Sequence, residues 1–209
     1  MKIDDTHPEY DAHVNRWEFY LRSYLGGQDY IDGDYLTSYI NESKEEYRRR
    51  KELTPMDNHC KNIVHIYSSF LWRIPPMREY GSAANSPALQ SFLKDCDLEG
   101  RGFNSFMREA QVWSSVYGHV WLMVDKPKSN AGTKAEEMAQ DIRPYVNIYT
   151  PENVLDWKYE RTASGRFKLT EMVIKEQVII KDDSEICFYR KWTEDQVMLY
   201  KVIDGDSEL

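Results

Sequence analysis

The chain has few of the residues and runs that define secreted and membrane proteins. Its 209 residues include three cysteines, Cys60, Cys96 and Cys187, which are odd in number and far apart. They cannot form a complete disulfide framework, so we interpret them as free thiols in a reducing compartment. The longest stretch without a charged residue, 110–124, is shorter than the roughly 20 apolar residues of a membrane helix. No secretion signal follows Met1, so the sequence predicts a protein that stays in the cytoplasm where it is made.

Basic residues are also in deficit, with 27 Lys and Arg against 35 Asp and Glu and a formal net charge of -8. Proteins that bind nucleic acid by broad phosphate neutralisation concentrate Lys and Arg, so this charge argues against that class. The charges are segregated along the chain. Residues 1–42 hold nine acidic and three basic residues, whereas 43–80 hold eight basic and five acidic ones.

One dense basic run interrupts this acidic background and consists of Arg48, Arg49, Arg50 and Lys51. Four consecutive residues span the whole circumference of a helix, so they cannot all face one ligand. One interpretation is a solvated helix face that pairs with Glu45, Glu46 and Glu52. The other is contact with an acidic neighbouring subunit or with nucleic acid, which makes the run a candidate for an interface or a DNA-facing surface.

Motifs for catalysis, cofactors and metals are missing or incomplete. The chain has no Gly-x-Ser-x-Gly or Walker motif, and Gly100-Arg101-Gly102 has Ser105 where a dinucleotide fingerprint needs its third glycine. On a helix, His59 and His65 point to different faces, unlike zinc ligands at i and i+4. A calcium loop counted from Asp29 reaches Ile40 at the position of the bidentate Glu. We therefore predict no catalytic, cofactor-binding or metal-binding residue and no enzymatic activity.

Helix signals dominate the first 117 residues. Thr6 and Glu9 have capping-box spacing before an apolar stripe that closes at Gly26-Gly27, and Ser43 with Glu46 repeats that spacing before a charged helix. Residues 28–42 are predicted to be a loop or short helix. Three more helices are predicted, one from Thr54-Pro55 with an apolar stripe of Met56, Cys60, Ile63, Tyr67 and Phe70, one from Ser86-Pro87, and one with a stripe from Phe103 to Tyr117.

Strand signals dominate the rest of the chain. Apolar or alternating segments lie at 119–124, 144–149, 154–160, 167–176, 185–192 and 196–203, with turn signals at Ser164-Gly165 and Asp182-Asp183. Residues 126–140 are polar and are predicted to be a mobile insertion or a short surface helix. This order predicts an α+β fold, with N-terminal helices in 1–117 followed by a mostly antiparallel strand meander in 118–209.

Four segments in order resemble the wing region of tailed-bacteriophage portal proteins. They are Asn-Ile-Val-His-Ile-Tyr-Ser-Ser-Phe-Leu-Trp-Arg-Ile-Pro-Pro at 62–76, Phe-Asn-Ser-Phe-Met at 103–107, Tyr-Gly-His-Val-Trp-Leu-Met-Val-Asp-Lys-Pro at 117–127, and Arg-Pro-Tyr-Val-Asn-Ile-Tyr-Thr-Pro-Glu-Asn-Val-Leu-Asp-Trp at 143–157. Family members share a helix ending in an apolar-Pro pair, a Val-Asp-x-Pro strand after a glycine, and an Arg-Pro-Tyr strand leading to Pro-Glu-Asn.

The resemblance implies a ring of about twelve copies at the unique capsid vertex, a head-to-tail connector rather than an enzyme. Double-stranded DNA passes through such a ring during viral DNA packaging and genome ejection. The implied partners are other copies of the chain, terminase, the head-tail connector or adaptor, and capsid and scaffold proteins. The implied location is the virion, with assembly in the host cytoplasm, and no membrane partner is expected.

The stem, clip and crown of that family are not expected within these residues, so the chain would be a fragment or would work beside a second polypeptide. Two alternatives stay open. Fifteen tyrosines and six tryptophans exceed what one small core needs, which favours interfaces and also suits a stand-alone protein-protein interaction module. A hydrolase using Asp and Glu would need a deep pocket that holds two carboxylates with raised pKa values.

Overall fold

The computed structural model of the chain describes residues 2–54, 57–181, 184–203 and 206–208. Helices come first and antiparallel strands follow, so the predicted α+β fold is confirmed. The helices are α1 (Pro8–Leu25), α2 (Gly27–Asp32), α3 (Lys44–Leu53), α4 (His59–Leu71), α5 (Pro87–Lys94), α6 (Phe103–Tyr117) and α7 (Lys134–Ala139). The strands are β1 (Trp121–Asp125), β2 (Tyr145–Tyr149), β3 (Val154–Arg161), β4 (Phe167–Lys181), β5 (Ser184–Thr193), β6 (Val197–Ile203) and β7 (Asp206–Glu208).

Helix starts confirm one predicted cap and correct another. Ser43 and Glu46 form the predicted capping box at the start of α3. At α1, the Glu9 N–H donates to Nδ1 of His7 at 3.1 Å, and the Thr6 hydroxyl donates to Asp11, so the predicted box of Thr6 and Glu9 is not the cap. Pro8 explains the shift, because proline fits the first helical position and places the cap at the residue before it.

Other predictions from local sequence signals agree with the structure apart from small differences. α2 begins one residue before the predicted 28–42 segment and ends within it, and the 126–140 segment contains α7. Asn58 rather than Thr54 precedes α4, while Pro55 and Met56 lie outside the described residues. The turn at Ser164-Gly165 forms, with Gly165 at φ 81°. The Asp182-Asp183 turn signal lies outside the described residues.

Two compact units divide the chain, one within Met1–Glu18 and Thr150–Leu209 and the other Phe19–Tyr149. These divisions differ from the predicted parts 1–117 and 118–209. The β1–β2 hairpin clusters with the helices of 19–149, and the first residues of the chain cluster with the large sheet. None of the helices in the described residues is both long and apolar enough to cross a bilayer.

The unit that contains the large sheet is an antiparallel meander in the order β3-β4-β5-β6-β7. The N-terminal segment is tied to this sheet, since the His7 N–H donates to the Leu155 carbonyl at 2.9 Å and the Tyr10 hydroxyl donates to the Glu152 carbonyl at 3.1 Å. Leu155, Cys187, Tyr189 and Val202 form the buried core there. Burial raises the pKa of the Tyr189 phenol to about 12.

The helical unit, 19–149, is built on α6. Phe106 of α6 is buried against Cys96 and Val146, and α4 and α5 both pack on α6. Gly118 ends α6 in the left-handed conformation with φ 90°, where glycine has no steric penalty from a Cβ. The β1–β2 hairpin follows, paired from Trp121 with Tyr149 to Asp125 with Tyr145. This unit carries the surface described next.

Candidate interaction surface

One side of α4 is anchored to the helical unit by its cap and by small or polar residues. The Asn58 side chain accepts from the Lys61 N–H at 2.9 Å and donates to the Tyr24 carbonyl at 2.7 Å. Nε2 of His65 lies 3.1 Å from the Tyr24 hydroxyl. Ser68, which is fully buried, receives a hydrogen bond from Arg108 of α6. A serine at this contact lets two helices approach closely. The contacts on this side fix the position of α4, and with it the side chains on the opposite side of the helix.

The opposite side of α4 is apolar and exposed to solvent. We call it the α4 face, and its members are between 53% and 98% exposed: Ile63, Ile66, Tyr67, Phe70 and Leu71 on the helix, followed by Ile74 and Met77. The spacing of three and four residues places the helical members on one stripe. The sequence predicted that stripe through Ile63, Tyr67 and Phe70. Helical spacing could not show that the stripe faces water. The predicted stripe also did not include Ile66, Leu71, Ile74 or Met77.

The extent of the α4 face is unusual for a surface left in water. At about 200 Å² for each large side chain, the exposed fractions leave roughly 600 Å² of apolar surface on the five helical members and roughly 300 Å² on Ile74 and Met77. The largest apolar patch on a typical monomer covers about 300–600 Å². A standard protein-protein interface buries about 800 Å² on each partner and is enriched in Tyr, Phe and Met. The α4 face therefore has the size and composition of a protein interface.

The predicted basic run is mostly paired within the chain. Arg48 pairs with Glu45 and Glu52 along α3, as the solvated-face interpretation expects, whereas Glu46 is used in the Ser43 cap. The other pairs reach outside the helix. Arg50 binds Glu42 at 2.7 Å and Lys51 binds Asp34 at 2.8 Å, while Arg49 is exposed and has no ion-pair partner within the described part of the chain.

The Arg50–Glu42 contact holds the segment before α3 against that helix. Two nitrogens of the Arg50 guanidinium donate to the Glu42 carboxylate, at 2.7 and 2.8 Å, and a third bond reaches the Thr37 carbonyl. The Arg50 hydrogen bonds are the largest cause that lowers the pKa of Glu42, to about 2. Bidentate pairing of this kind fixes orientation as well as charge.

A pH titration of Glu42 tests this contact. We expect its carboxyl pKa to be about 2 in the native chain, measured by NMR from the side-chain carbonyl shift. Since the folded pKa lies below the ordinary value of 4.5, the pair stabilises the fold fully above pH 4.5, and that contribution is lost as pH falls through about 2. The matched variant Arg50→Gln should move the midpoint up towards 4.5. A native midpoint already at the ordinary value would contradict the contact.

The other residues weighed as sites have structural roles or local partners. His59, Cys60 and His65 are not brought together as ligands, and no group of three or more His, Cys, Asp or Glu in the described ranges could hold a metal. Gly100-Arg101-Gly102 forms the turn before α6, where the Gly100 N–H donates to Asp95 and Gly102 is the N-cap. Asp34 of the acidic cluster pairs with Lys51.

Two cavities bear on the hydrolase alternative, which needs a deep pocket that holds two carboxylates. A cavity of about 100 Å³ beside the large sheet is lined by the carboxylates of Asp5, Asp156 and Glu171, and Glu171 pairs with Lys191 at 2.6 Å. It is smaller than the roughly 300 Å³ of common ligand pockets. A second, more open cavity of about 350 Å³ in the helical unit is mainly apolar, lined by Phe19, Tyr20, Ser23, Tyr24, Tyr30, Cys60, Val64, Ser115 and Val116.

The segments that resemble portal wings lie mainly in α4, at the start of α6, in β1, and in β2 with the start of β3. Arg143, before β2, binds the Asp95 carboxylate at 2.6 Å, and the Tyr145 hydroxyl donates to Asp125 of β1 at 2.9 Å. Burial acts to raise the pKa of Asp95, but the Gly100 N–H and Arg143 outweigh it, so that pKa is lowered. The Tyr145–Asp125 contact joins two of the four segments, and Arg143 ties the last segment to Asp95, which lies outside all four.

Comparison with protein-family models finds no match for the chain, and comparison with curated proteins finds no matching sequence. The function of the chain therefore has to follow from the residues described above. Among them, the α4 face lies almost wholly within the first of the four segments that resemble portal wings.

Proposed function

We propose that this chain is the N-terminal wing portion of a tailed-phage portal protein and functions by assembling into a ring. The observation that carries the proposal is the α4 face. It presents roughly 900 Å² of apolar surface, enough for one side of a standard interface, from α4, which is fixed on α6, and from the segment that follows α4. A chain that acts by self-association needs a preformed surface of this kind, because ordering a flexible segment on binding would cost free energy.

The charge of the chain supports the same role. A channel lined by subunits with a net charge of -8 repels phosphate, so double-stranded DNA can slide during packaging and ejection, whereas a basic lining would hold it. The ring would occupy the unique capsid vertex, with terminase, the head-tail connector, and capsid and scaffold proteins as further partners. These partners follow from the resemblance to portal wings.

The mass of the purified chain tests the proposal directly. We expect native mass spectrometry at physiological salt to show a closed assembly of about twelve copies, and negative-stain images to show rings with a central hole. Closed cyclic symmetry around a channel is hard to explain by another function. A chain that stays monomeric at concentrations well above those of the images would count against ring assembly by this portion of a portal.

A stand-alone interaction module is the second candidate, because the α4 face would also serve to bind one different protein. The two functions differ in symmetry. A ring uses the same chain on both sides of each interface, whereas a module forms a stoichiometric complex with an unlike partner and stays monomeric alone. The same mass measurement therefore separates them.

A further inference from the structure

A cavity in the helical unit has the size of a small-molecule site. We call it the aromatic cavity, because Phe19, Tyr20, Tyr24 and Tyr30 are among the residues that line its volume of about 350 Å³. Ligand pockets begin at about 300 Å³, and an apolar cavity of about 150 Å³ is enough to bind benzene. The aromatic cavity is about twice that size, so it has room for a molecule of one or two rings.

The walls of the aromatic cavity come from helices that are held by contacts within the helical unit. Cys60 and Val64 lie one turn apart on α4, and Ser115 lies on α6, the helix on which α4 packs. The Asn58 side chain at the start of α4 donates to the Tyr24 carbonyl of α1 at 2.7 Å. A cavity that is formed in advance costs little ordering free energy when a ligand enters it.

The lining favours a neutral aromatic molecule. None of the described residues that line the cavity is Asp, Glu, Lys, Arg or His, so a charged ligand would lose water without gaining an ion pair. The ring centre of Phe19 lies 6.1 Å from that of Tyr20 and 6.5 Å from that of Tyr30, with the planes tilted by 55° and 53°. Rings tilted in this way can pack on a further ring edge to face or offset.

One lining hydroxyl supplies a hydrogen-bond acceptor. The Ser23 hydroxyl donates its proton to the Phe19 carbonyl at 2.7 Å, within α1. Its oxygen therefore keeps the capacity to accept a hydrogen bond from a ligand. A molecule that carries one N–H or O–H donor on an aromatic ring matches both the apolar walls and this acceptor.

The small exposed area of the aromatic cavity distinguishes it from the α4 face. Phe19 and Tyr20 are 39% and 38% exposed, whereas members of the α4 face are 53% to 98% exposed. At about 200 Å² for each large side chain, these two residues leave roughly 150 Å² of surface. A protein interface buries about 800 Å² on each partner. The aromatic cavity therefore has the dimensions of a site for one small molecule rather than for a protein surface.

We propose that the aromatic cavity binds a small neutral aromatic molecule of about the size of indole, with one hydrogen-bond donor. The rings of Phe19, Tyr20 and Tyr30 pack against it, and the Ser23 hydroxyl oxygen accepts from its donor. This site goes beyond the proposed ring function and does not rest on it.

Alkylation of Cys60 by iodoacetamide, read by intact mass, tests the proposal. This thiol lines the cavity and is exposed, whereas those of Cys96 and Cys187 are buried, and Cys60→Ser gives the background rate. We expect indole to bind with a dissociation constant of about 1 mM, as the efficiency of small ligands allows. At about 10 mM indole, the alkylation rate should then fall about 10-fold. Inositol, a polar ring, should leave the rate unchanged. Saturation-transfer NMR on indole reads binding without the thiol.

Two phenylalanine variants of α4 locate the binding. Val64→Phe fills the cavity and should remove both the protection of Cys60 and the NMR signal of bound indole. The matched control is Ile66→Phe, which enlarges an exposed residue of the α4 face and should keep both. Circular dichroism checks that each variant is folded. If Val64→Phe misfolds, Ser115→Phe replaces it, since Ser115 is an exposed residue that lines the cavity from α6.

Three outcomes would overturn the site. If indole changes neither the alkylation of Cys60 nor its own NMR signal, the cavity does not bind aromatic molecules. If Val64→Phe and Ile66→Phe respond to indole alike, the molecule binds elsewhere on the chain. If alkylation slows as the protein concentration rises and indole has no effect, a side chain of another copy fills the cavity. Ring assembly is read separately, from mass, so the site and the ring function can fail independently.

Discussion

Replacing Phe106 by alanine should lower the free energy of unfolding by about 3–5 kcal/mol, as for other large aromatic residues removed from a core. Phe106 is 2% exposed and lies in the core of the helical unit with Cys96 and Val146. Its removal forfeits the transfer free energy of the ring and leaves a cavity that α6 and β2 cannot fully close. The measurement is equilibrium unfolding in urea, followed by the fluorescence of the tryptophans.

Phe70→Ala is the matched control, because it removes the same side chain from a helix of the same unit. Phe70 is 71% exposed, so at concentrations where the chain is monomeric its removal should change stability by less than about 0.5 kcal/mol. A similar loss for both variants would mean that the α4 face is buried in the free chain. The proposed interface would then lose its main support.

Ile174→Ala in strand β4 should destabilise the chain by about 2–5 kcal/mol, the usual cost for a buried isoleucine. Ile174 is fully buried and pairs with Val154 and Arg190 on the neighbouring strands. It belongs to the compact unit that contains the large sheet, so this variant and Phe106→Ala report on separate units. Urea unfolding by circular dichroism in the far ultraviolet follows the loss of the sheet.

Ile180→Ala is the corresponding control on the same strand. Ile180 is 80% exposed near the end of β4, and its truncation should leave the unfolding midpoint almost unchanged. If Ile180→Ala cost as much as Ile174→Ala, the exposed end of β4 would be a packed surface in solution. That result would contradict the burial pattern of the sheet.

Local signals predicted the elements well where the physical cause is local. The Ser43–Glu46 box forms because both partners lie within one helical turn. Gly118 ends α6 because only glycine takes its positive φ without cost. The predicted strand segments all contain strands, because alternating and β-branched residues favour the extended backbone whatever they pair with.

The candidate site was predicted only in part. The stripe through Ile63, Tyr67 and Phe70 followed from helical spacing, but burial depends on what α6 presents to α4, and α6 meets the side that holds Ser68. The basic run was predicted to pair with glutamates on its own helix. That prediction holds for Arg48. Arg50 and Lys51 pair with Glu42 and Asp34, which lie outside the helix, so helical spacing could not predict these pairs.

The order of amino acids was enough to establish the α+β class, the positions of helices and strands, the free thiols and the acidic balance. These depend on backbone propensity, short-range hydrogen bonds and composition. Contacts between residues far apart in the chain decided which apolar stripe of α4 is left in water. They also decided which of the four basic residues has no ion-pair partner among the residues that the structure describes. Burial and ion pairing are properties of the packed molecule, because both depend on what the rest of the chain places opposite each side chain.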